Sequence, residues 1–277
     1  MNARKLSHYP LFGLVTAVFL LLTACQPGAV ATSPQPTATA APEIQATQTP
    51  VPPTQPSGET TAGITLDYTA MAQDMTLETL TDQPAGSDGL FLDAAPEYRR
   101  IILQGYPVTD HRFKPQVFIF PAGDLTSENG NAVKIAADLQ ALLQTQQDGE
   151  QLPFLPVVFS SRQAIDAQVQ YLDFKSGKGV RYLTQFNNGL SPINNYALVY
   201  TFQGLTSDGK YYVSAVLPLT SSELSDAQSF SEQEAKVGQA YFDYLSQTVT
   251  LLNKQPTGGF TPDLSKLDAL VRSIEVR

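Results

Sequence analysis

Four strand-like runs crowded between Ala167 and Leu217 constrain this chain more than any other feature. The runs Ala167 to Phe174, Val180 to Phe186, Tyr196 to Gln203 and Tyr211 to Leu217 alternate with period two and are separated by short links. In NYALVYTFQ, Tyr196, Leu198, Tyr200 and Phe202 share one face, and Ala197, Val199 and Thr201 share the other. Both faces are fairly apolar, which is the pattern of a central strand covered on two sides. Two links carry hairpin chemistry: FKSGKGV offers Gly177 and Gly179 for positive φ, and GLTSDGKYY puts Asp208-Gly209 at its tip. The four runs are expected to form an antiparallel meander or two adjacent hairpins. Ile64 to Met71, Arg100 to Tyr106 and Gln116 to Phe120 add further strands.

Three helices are expected beside the sheet. The first covers about Ala132 to Gln147, with Ile135, Leu139 and Leu142 on one face and Gly149 as the stop. The second opens on a capping box, Ser231 with Glu234, and a staple of Phe230 on Ala235. Its stripe runs through Val237, Tyr241, Tyr244, Leu245, Thr248 and Leu252 to Pro256. The third takes Thr261 as N-cap and Pro262 in its first turn, with Leu264, Leu267, Val271 and Ile274 aligned. Strands grouped before helices predict an α+β fold: a largely antiparallel sheet, two or three packed helices and a C-terminal helical pair. Ile64 to Arg277 is read as one domain, because no second Pro/Gly/Ser-rich break divides it.

The chain before that domain is of a different kind. Arg4 and Lys5 precede an uncharged apolar run of fourteen residues, Leu11 to Ala24. At about 1.5 Å of helical rise per residue it reaches roughly 21 Å, short of the roughly 30 Å hydrocarbon core. A basic start, a run of this length and small residues at its end predict a secretory signal, hence an exported domain. From Gln26 to Gly63, 38 residues hold eight prolines, eight threonines and no aromatic side chain. Such a segment cannot bury enough apolar surface to offset its ordering entropy, and it reads as a disordered stalk. It would reach roughly 35 Å as a coil and roughly 120 Å as polyproline II.

Leu22-Thr23-Ala24-Cys25 resembles the lipobox of bacterial lipoproteins, with Leu three places before the cysteine and small residues between. The resemblance covers only the signal segment. It implies that residues 1–24 are a cleaved signal peptide, that the Cys25 thiol carries a diacylglycerol and that the new amino terminus is acylated. One acyl chain holds a protein marginally, and a second makes the anchoring stable. The lipid bilayer is then a partner through acylated Cys25, at the extracytoplasmic face of the cell membrane or outer membrane. Gln26 in place of Asp points away from inner-membrane retention in a cell with two membranes.

Composition narrows what residues 64–277 can do. The formal charge is −9, and loss of Arg4 and Lys5 with the signal leaves −11. An acidic chain with scattered lysines is a poor nucleic-acid binder. Cys25 is the only cysteine, so its acylation removes thiol catalysis, disulfides and thiolate metal sites. Of two histidines, His8 lies in the signal and His111 in YPVTDHRFKPQ, a hairpin connection. His111 reads as a solvated turn residue beside Asp110 and Arg112, because no GxSxG elbow accompanies it as a triad partner. No catalytic residue, metal ligand or cofactor is assigned.

Other motifs fail on context. SGKG at Ser176 to Gly179 lacks the first Gly, the final Ser or Thr and the following helix of a phosphate loop. SDGK at Ser207 to Lys210 spells an SxxK pair, but across a hairpin and not at a helix start. DLTSENGN at Asp124 to Asn131 lacks the alternating acidic pattern of a calcium loop. The tyrosines are the better candidates: Tyr182, Tyr200, Tyr211 and Tyr212 fall on the meander, where lining the core is the leading reading and a ligand platform the competing one. The expected function is non-catalytic binding of a small ligand, peptide or envelope protein. A carboxylate-based hydrolase and an assembly accessory of a membrane complex are the competing classes.

Overall fold

The alternation between Ala167 and Leu217 builds the middle of a seven-stranded antiparallel sheet. The computed structural model describes residues 59–61, 63–81, 96–125, 131–146, 151–158, 161–232 and 234–277. In chain order the elements are β1 (Glu59–Thr61), β2 (Ile64–Leu66), β3 (Asp74–Leu80), β4 (Tyr98–Gln104), β5 (Gln116–Pro121), α1 (Asn131–Thr145), β6 (Arg162–Gln163), β7 (Ala167–Phe174), β8 (Gly177–Thr184) and β9 (Phe186–Asn187). They continue with β10 (Val199–Thr206), β11 (Tyr211–Pro218), β12 (Thr220–Ser221), α2 (Gln239–Lys254), β13 (Phe260–Thr261), α3 (Leu264–Ser273) and β14 (Glu275–Val276). The large sheet runs β3-β4-β5-β11-β10-β8-β7. It joins two meanders, β3-β4-β5 and β7-β8-β10-β11, along the antiparallel pair β5 and β11.

Both faces of this sheet are covered. On one, Ile101, Val117, Leu183, Tyr200, Phe202 and Leu217 pack with Leu252 of α2 and with Leu264, Leu267 and Val271 of α3. On the other, Phe118, Phe120, Val180, Tyr182, Val199 and Tyr212 pack with Leu139, Leu142 and Leu143 of α1 and with the 152–158 segment. Period-two alternation thus feeds two cores, as the doubly apolar strand pattern predicts. Each large apolar side chain so buried contributes about 1.5–3 kcal/mol. The fold is α+β, with its last two helices on one face.

A buried charged cluster ties those helices to the sheet. Arg181 of β8 and Asp268 of α3 are 3% and 6% exposed. Arg181 Nε donates to Asp268 Oδ1 at 3.2 Å and Tyr200 Oη donates to the same oxygen at 3.0 Å. Arg181 also donates to the Gln168 carbonyl and, at 2.8 Å, to Gln170 Oε1. Gln168 sits at a register break in β7 with φ of 54°. Its Nε2 donates to Gln255 O at 3.0 Å, just past the end of α2, and at 2.8 Å to Leu252 O, which also accepts from Gln255 N.

The differences from expectation have local causes. β1 lies inside the stretch assigned to the stalk, where it pairs with β2. β2 stops at Leu66, where Asp67 accepts from Thr69 N at 3.2 Å and turns the chain. β3 was not expected; it is an edge strand whose Met75 and Leu77 are only half-buried. Ser231 Oγ does donate to Glu234 Oε2 at 2.6 Å, yet α2 starts only at Gln239, after Gly238 with φ of 54°. Phe230 packs on Tyr244 at 5.4 Å between ring centroids, so 231–238 loops back, and Val237 is left 71% exposed. α3 is capped by Asp263, which accepts from Ser265 N at 2.8 Å, while Thr261 pairs with Thr220. Residues 1–58, with Cys25, and Gly149 lie outside the described residues.

Gly209 has φ of 69° at the Asp208-Gly209 tip, as expected. Gly177 and Gly179 do not take positive φ; they allow strands to close on one another. A Cβ on Gly177 would run into Leu205 O, and one on Gly179 would enter the Phe202 ring. Gly204 faces the same ring, 2.6 Å from where its Cβ would stand.

Candidate functional site

The four tyrosines do not share a face. Tyr182, Tyr200 and Tyr212 are fully buried, and Tyr211 is half-buried with the Arg99 guanidinium 5.2 Å from its ring centre. Tyr200 lies in the core under α3, whereas Tyr182 and Tyr212 lie in the opposite core. Burial pushes the hydroxyls of Tyr182, Tyr200 and Tyr212 well above the usual tyrosine range, so they act as donors. Because both sheet faces are covered, these side chains form no open platform.

Two of them position a wall instead. The 152–158 segment has no strand partner, so its backbone groups need side-chain partners. Tyr182 Oη donates to Pro153 O at 2.8 Å. Gln203 Oε1 accepts from Leu155 N at 3.0 Å and from Tyr212 Oη at 2.6 Å. Ser214 Oγ donates to Leu155 O at 2.5 Å, and Gln203 Nε2 donates to the same carbonyl at 3.2 Å. This set of buried polar groups, all satisfied, fixes Phe154, Pro156 and Val158 over the sheet.

The facing wall is the β4–β5 connection, and His111 holds it. His111 is half-buried, not the freely solvated turn residue expected. Its Nε2 donates to Leu198 O at 2.9 Å while Nδ1 accepts from Phe113 N at 3.0 Å, which fixes the neutral tautomer. Burial lowers its pKa from the ordinary 6.5. Arg112 N donates to Tyr196 O at 2.8 Å. The Arg112 guanidinium donates through Nη1 to Phe186 O at 2.7 Å and lies 5.4 Å from the Phe113 ring centre.

Between the two walls is a cavity of about 250 Å³. Its floor is the sheet: Phe118 and Gln116 of β5, Val216 of β11 and Arg100 of β4. Phe154, Pro156 and Val158 flank one side, and Arg112, Phe113 and Lys114 the other. Three cations therefore converge on an apolar cavity in a chain of charge −9. Arg100 is matched by Glu78, with Nε and Nη2 donating to Oε2 at 3.0 and 2.8 Å. Among the described residues neither Arg112 nor Lys114 makes an ion pair, and the Nε and Nη2 of Arg112 make no hydrogen bond. Gln116 is 7% exposed, and its carboxamide borders the cavity without a hydrogen-bond partner among the described residues. Opening on the cavity, that amide is free to bond water or a ligand.

Arg112 also borders a second depression of about 300 Å³, lined with Gln185, Asn187, Asn194 and Tyr196. There Asn194 Oδ1 is a buried acceptor with no partner among the described residues. A wider depression of about 870 Å³ separates α1 from the hairpin tips. Its Gln140, Gln144 and Lys175 are exposed, and its Lys178 is engaged by Leu143 O at 3.2 Å. No cluster of three metal-ligating side chains occurs among the described residues, and no helix among them is long and apolar enough to cross a membrane. None of the cavity residues had been singled out from sequence; the signal was Arg112-Phe113-Lys114, two cations around an aromatic in an acidic chain. Comparison with protein-family models, curated proteins and solved structures gave no match.

Proposed function

We propose that the protein is a lipid-anchored, extracytoplasmic lipoprotein whose α+β domain binds a small ligand without chemical turnover, in the cavity between 152–158 and the β4–β5 connection. The observation that carries this reading is the cavity itself: the Gln116 carboxamide lies on an apolar lining of Phe118 and Val216, where Arg112 and Lys114, without ion pairs among the described residues, converge. Concave, mostly apolar cavities with a few convergent polar groups are the common form of small-molecule sites. No Asp or Glu lines the cavity, and hydrogen bonds hold Asp208, Glu234 and Asp263 below the usual carboxylate range. That favours binding over hydrolysis by a carboxylate pair.

Two measurements test the proposal. Mass spectrometry of the membrane fraction should find the mature amino terminus at an acylated Cys25, and Cys25→Ala should abolish acylation; a soluble, unmodified product starting elsewhere would refute the anchor. For the cavity, a small-molecule library screened by NMR should shift Phe118 and Val216 resonances. Val158→Trp, which fills the cavity from its loop wall, should remove those shifts while the fold persists. Shifts that survive Val158→Trp would refute the site.

A further inference from the structure

We infer that the cavity selects an amphiphilic monocarboxylate: one carboxylate on a compact aromatic or branched apolar body. This rests on the cavity being the ligand site and adds the chemical class. The Arg112 guanidinium is anchored at Nη1 by Phe186 O and backed by the Phe113 ring. That leaves Nε and Nη2, the side-on fork whose parallel donors match the two oxygens of a carboxylate. Lys114 stands on the same rim with no ion pair among the described residues.

Charge sets the number of anionic groups. Arg100 is neutralised by Glu78, so the cavity offers the ligand two exposed cations and no third. The rest of the chain is acidic and opposes a polyanion. A single carboxylate satisfies the fork without demanding the denser donor set of a phosphate dianion. Phe118, Phe154, Val158 and Val216 then take the apolar body. The volume of about 250 Å³ falls just below the range of sites for drug-sized ligands, which limits the body to about ten heavy atoms.

The test uses matched pairs: benzoate, 3-phenylpropionate and 4-methylpentanoate against their primary amides, with phenyl phosphate as the dianionic arm, followed by NMR titration of the described domain within the full mature chain. The acids should bind at least about tenfold more tightly than the amides, a gap of about 1.4 kcal/mol. Arg112→Gln should close that gap by weakening the acids at least about tenfold. Lys114→Gln, at a side chain without structural partners, should weaken the acids several-fold and serves if Arg112→Gln perturbs the loop. Equal affinity of acids and amides, or tighter binding of phenyl phosphate, overturns the monocarboxylate class while leaving the cavity as a ligand site. Binding of none of these probes, with library hits elsewhere on the domain, overturns both.

Discussion

Arg181 Nε and Asp268 Oδ1 lie 3.2 Å apart between the sheet and α3, where neither side chain reaches solvent to any useful extent. A buried pair of this kind is weak evidence of net stabilisation, because desolvation offsets much of the attraction. Breaking it is another matter. Asp268→Ala leaves a buried guanidinium and the Tyr200 hydroxyl without their shared acceptor, and should cost about 3–5 kcal/mol in urea unfolding. Arg181→Met combined with Asp268→Leu should recover most of that loss; a double variant as unstable as Asp268→Ala would show that the pair contributes more than its own satisfaction.

The wall of the cavity depends on one amide. Gln203 serves Leu155 N, Leu155 O and Tyr212 Oη. Gln203→Ala strands Leu155 N and Tyr212 Oη at about 1–3 kcal/mol each where no water reaches them, while Leu155 O keeps its bond from Ser214 Oγ. Tyr212→Phe removes one donor and leaves Gln203 bonded to Leu155, so it should cost only about 1 kcal/mol. Hydrogen exchange should show the Leu155 amide deprotected in Gln203→Ala and still protected in Tyr212→Phe.

Close strand approach makes two glycines intolerant for reasons that differ in degree. Gly177→Ala meets the Leu205 carbonyl, which is ladder backbone and cannot yield, whereas Gly204→Ala meets the edge of the Phe202 ring. Overpacking costs about 1–3 kcal/mol where side chains can shift and more where backbone must. Thermal unfolding should therefore rank Gly177→Ala below Gly204→Ala. Gly123→Ala, with nothing within 4 Å of its added carbon, should match the native midpoint closely.

His111 should make the domain acid-sensitive. Its folded pKa lies below the ordinary 6.5, chiefly through burial, so the unfolded chain binds the extra proton first as pH falls. Its contribution is present above about pH 6.5 and is lost as pH drops toward the lowered folded value. The stability gap between the native chain and His111→Gln should narrow from pH 7.5 to pH 5, and an NMR titration of the ring should give a midpoint under 6.5. A midpoint at or above that value would contradict the buried neutral tautomer.

The fold was largely legible because its central strands are long and alternate cleanly. β7 falls on the residues expected, and β8, β10 and β11 within a few. β3 escaped because Met75 and Leu77 pack only partly at a sheet edge, which leaves a faint pattern. The capping box of Ser231 and Glu234 formed without its helix, since a local hydrogen bond does not require the chain to continue helically; Phe230 decided the path by packing on Tyr244. The core reading of the tyrosines holds over the platform, because Tyr200 belongs to a strand apolar on both faces, and such a strand leaves no open face to line. The cavity was illegible for a different reason. Its residues run from Arg100 to Val216, on three strands and two irregular segments, and no local spacing announces that they meet.

Arg277 N donates to Gly63 O at 2.9 Å, and β2 runs between β1 and β14. Gly63 and Arg277 therefore lie a single hydrogen bond apart, so the stretch between them closes on itself. Chain order is then a matter of where that loop is cut, not of how it packs. A circular permutant opened between Asp208 and Gly209, and joined from Arg277 to Ile64 through a short linker, keeps every pairing of the seven-stranded sheet and gives up only that of β1.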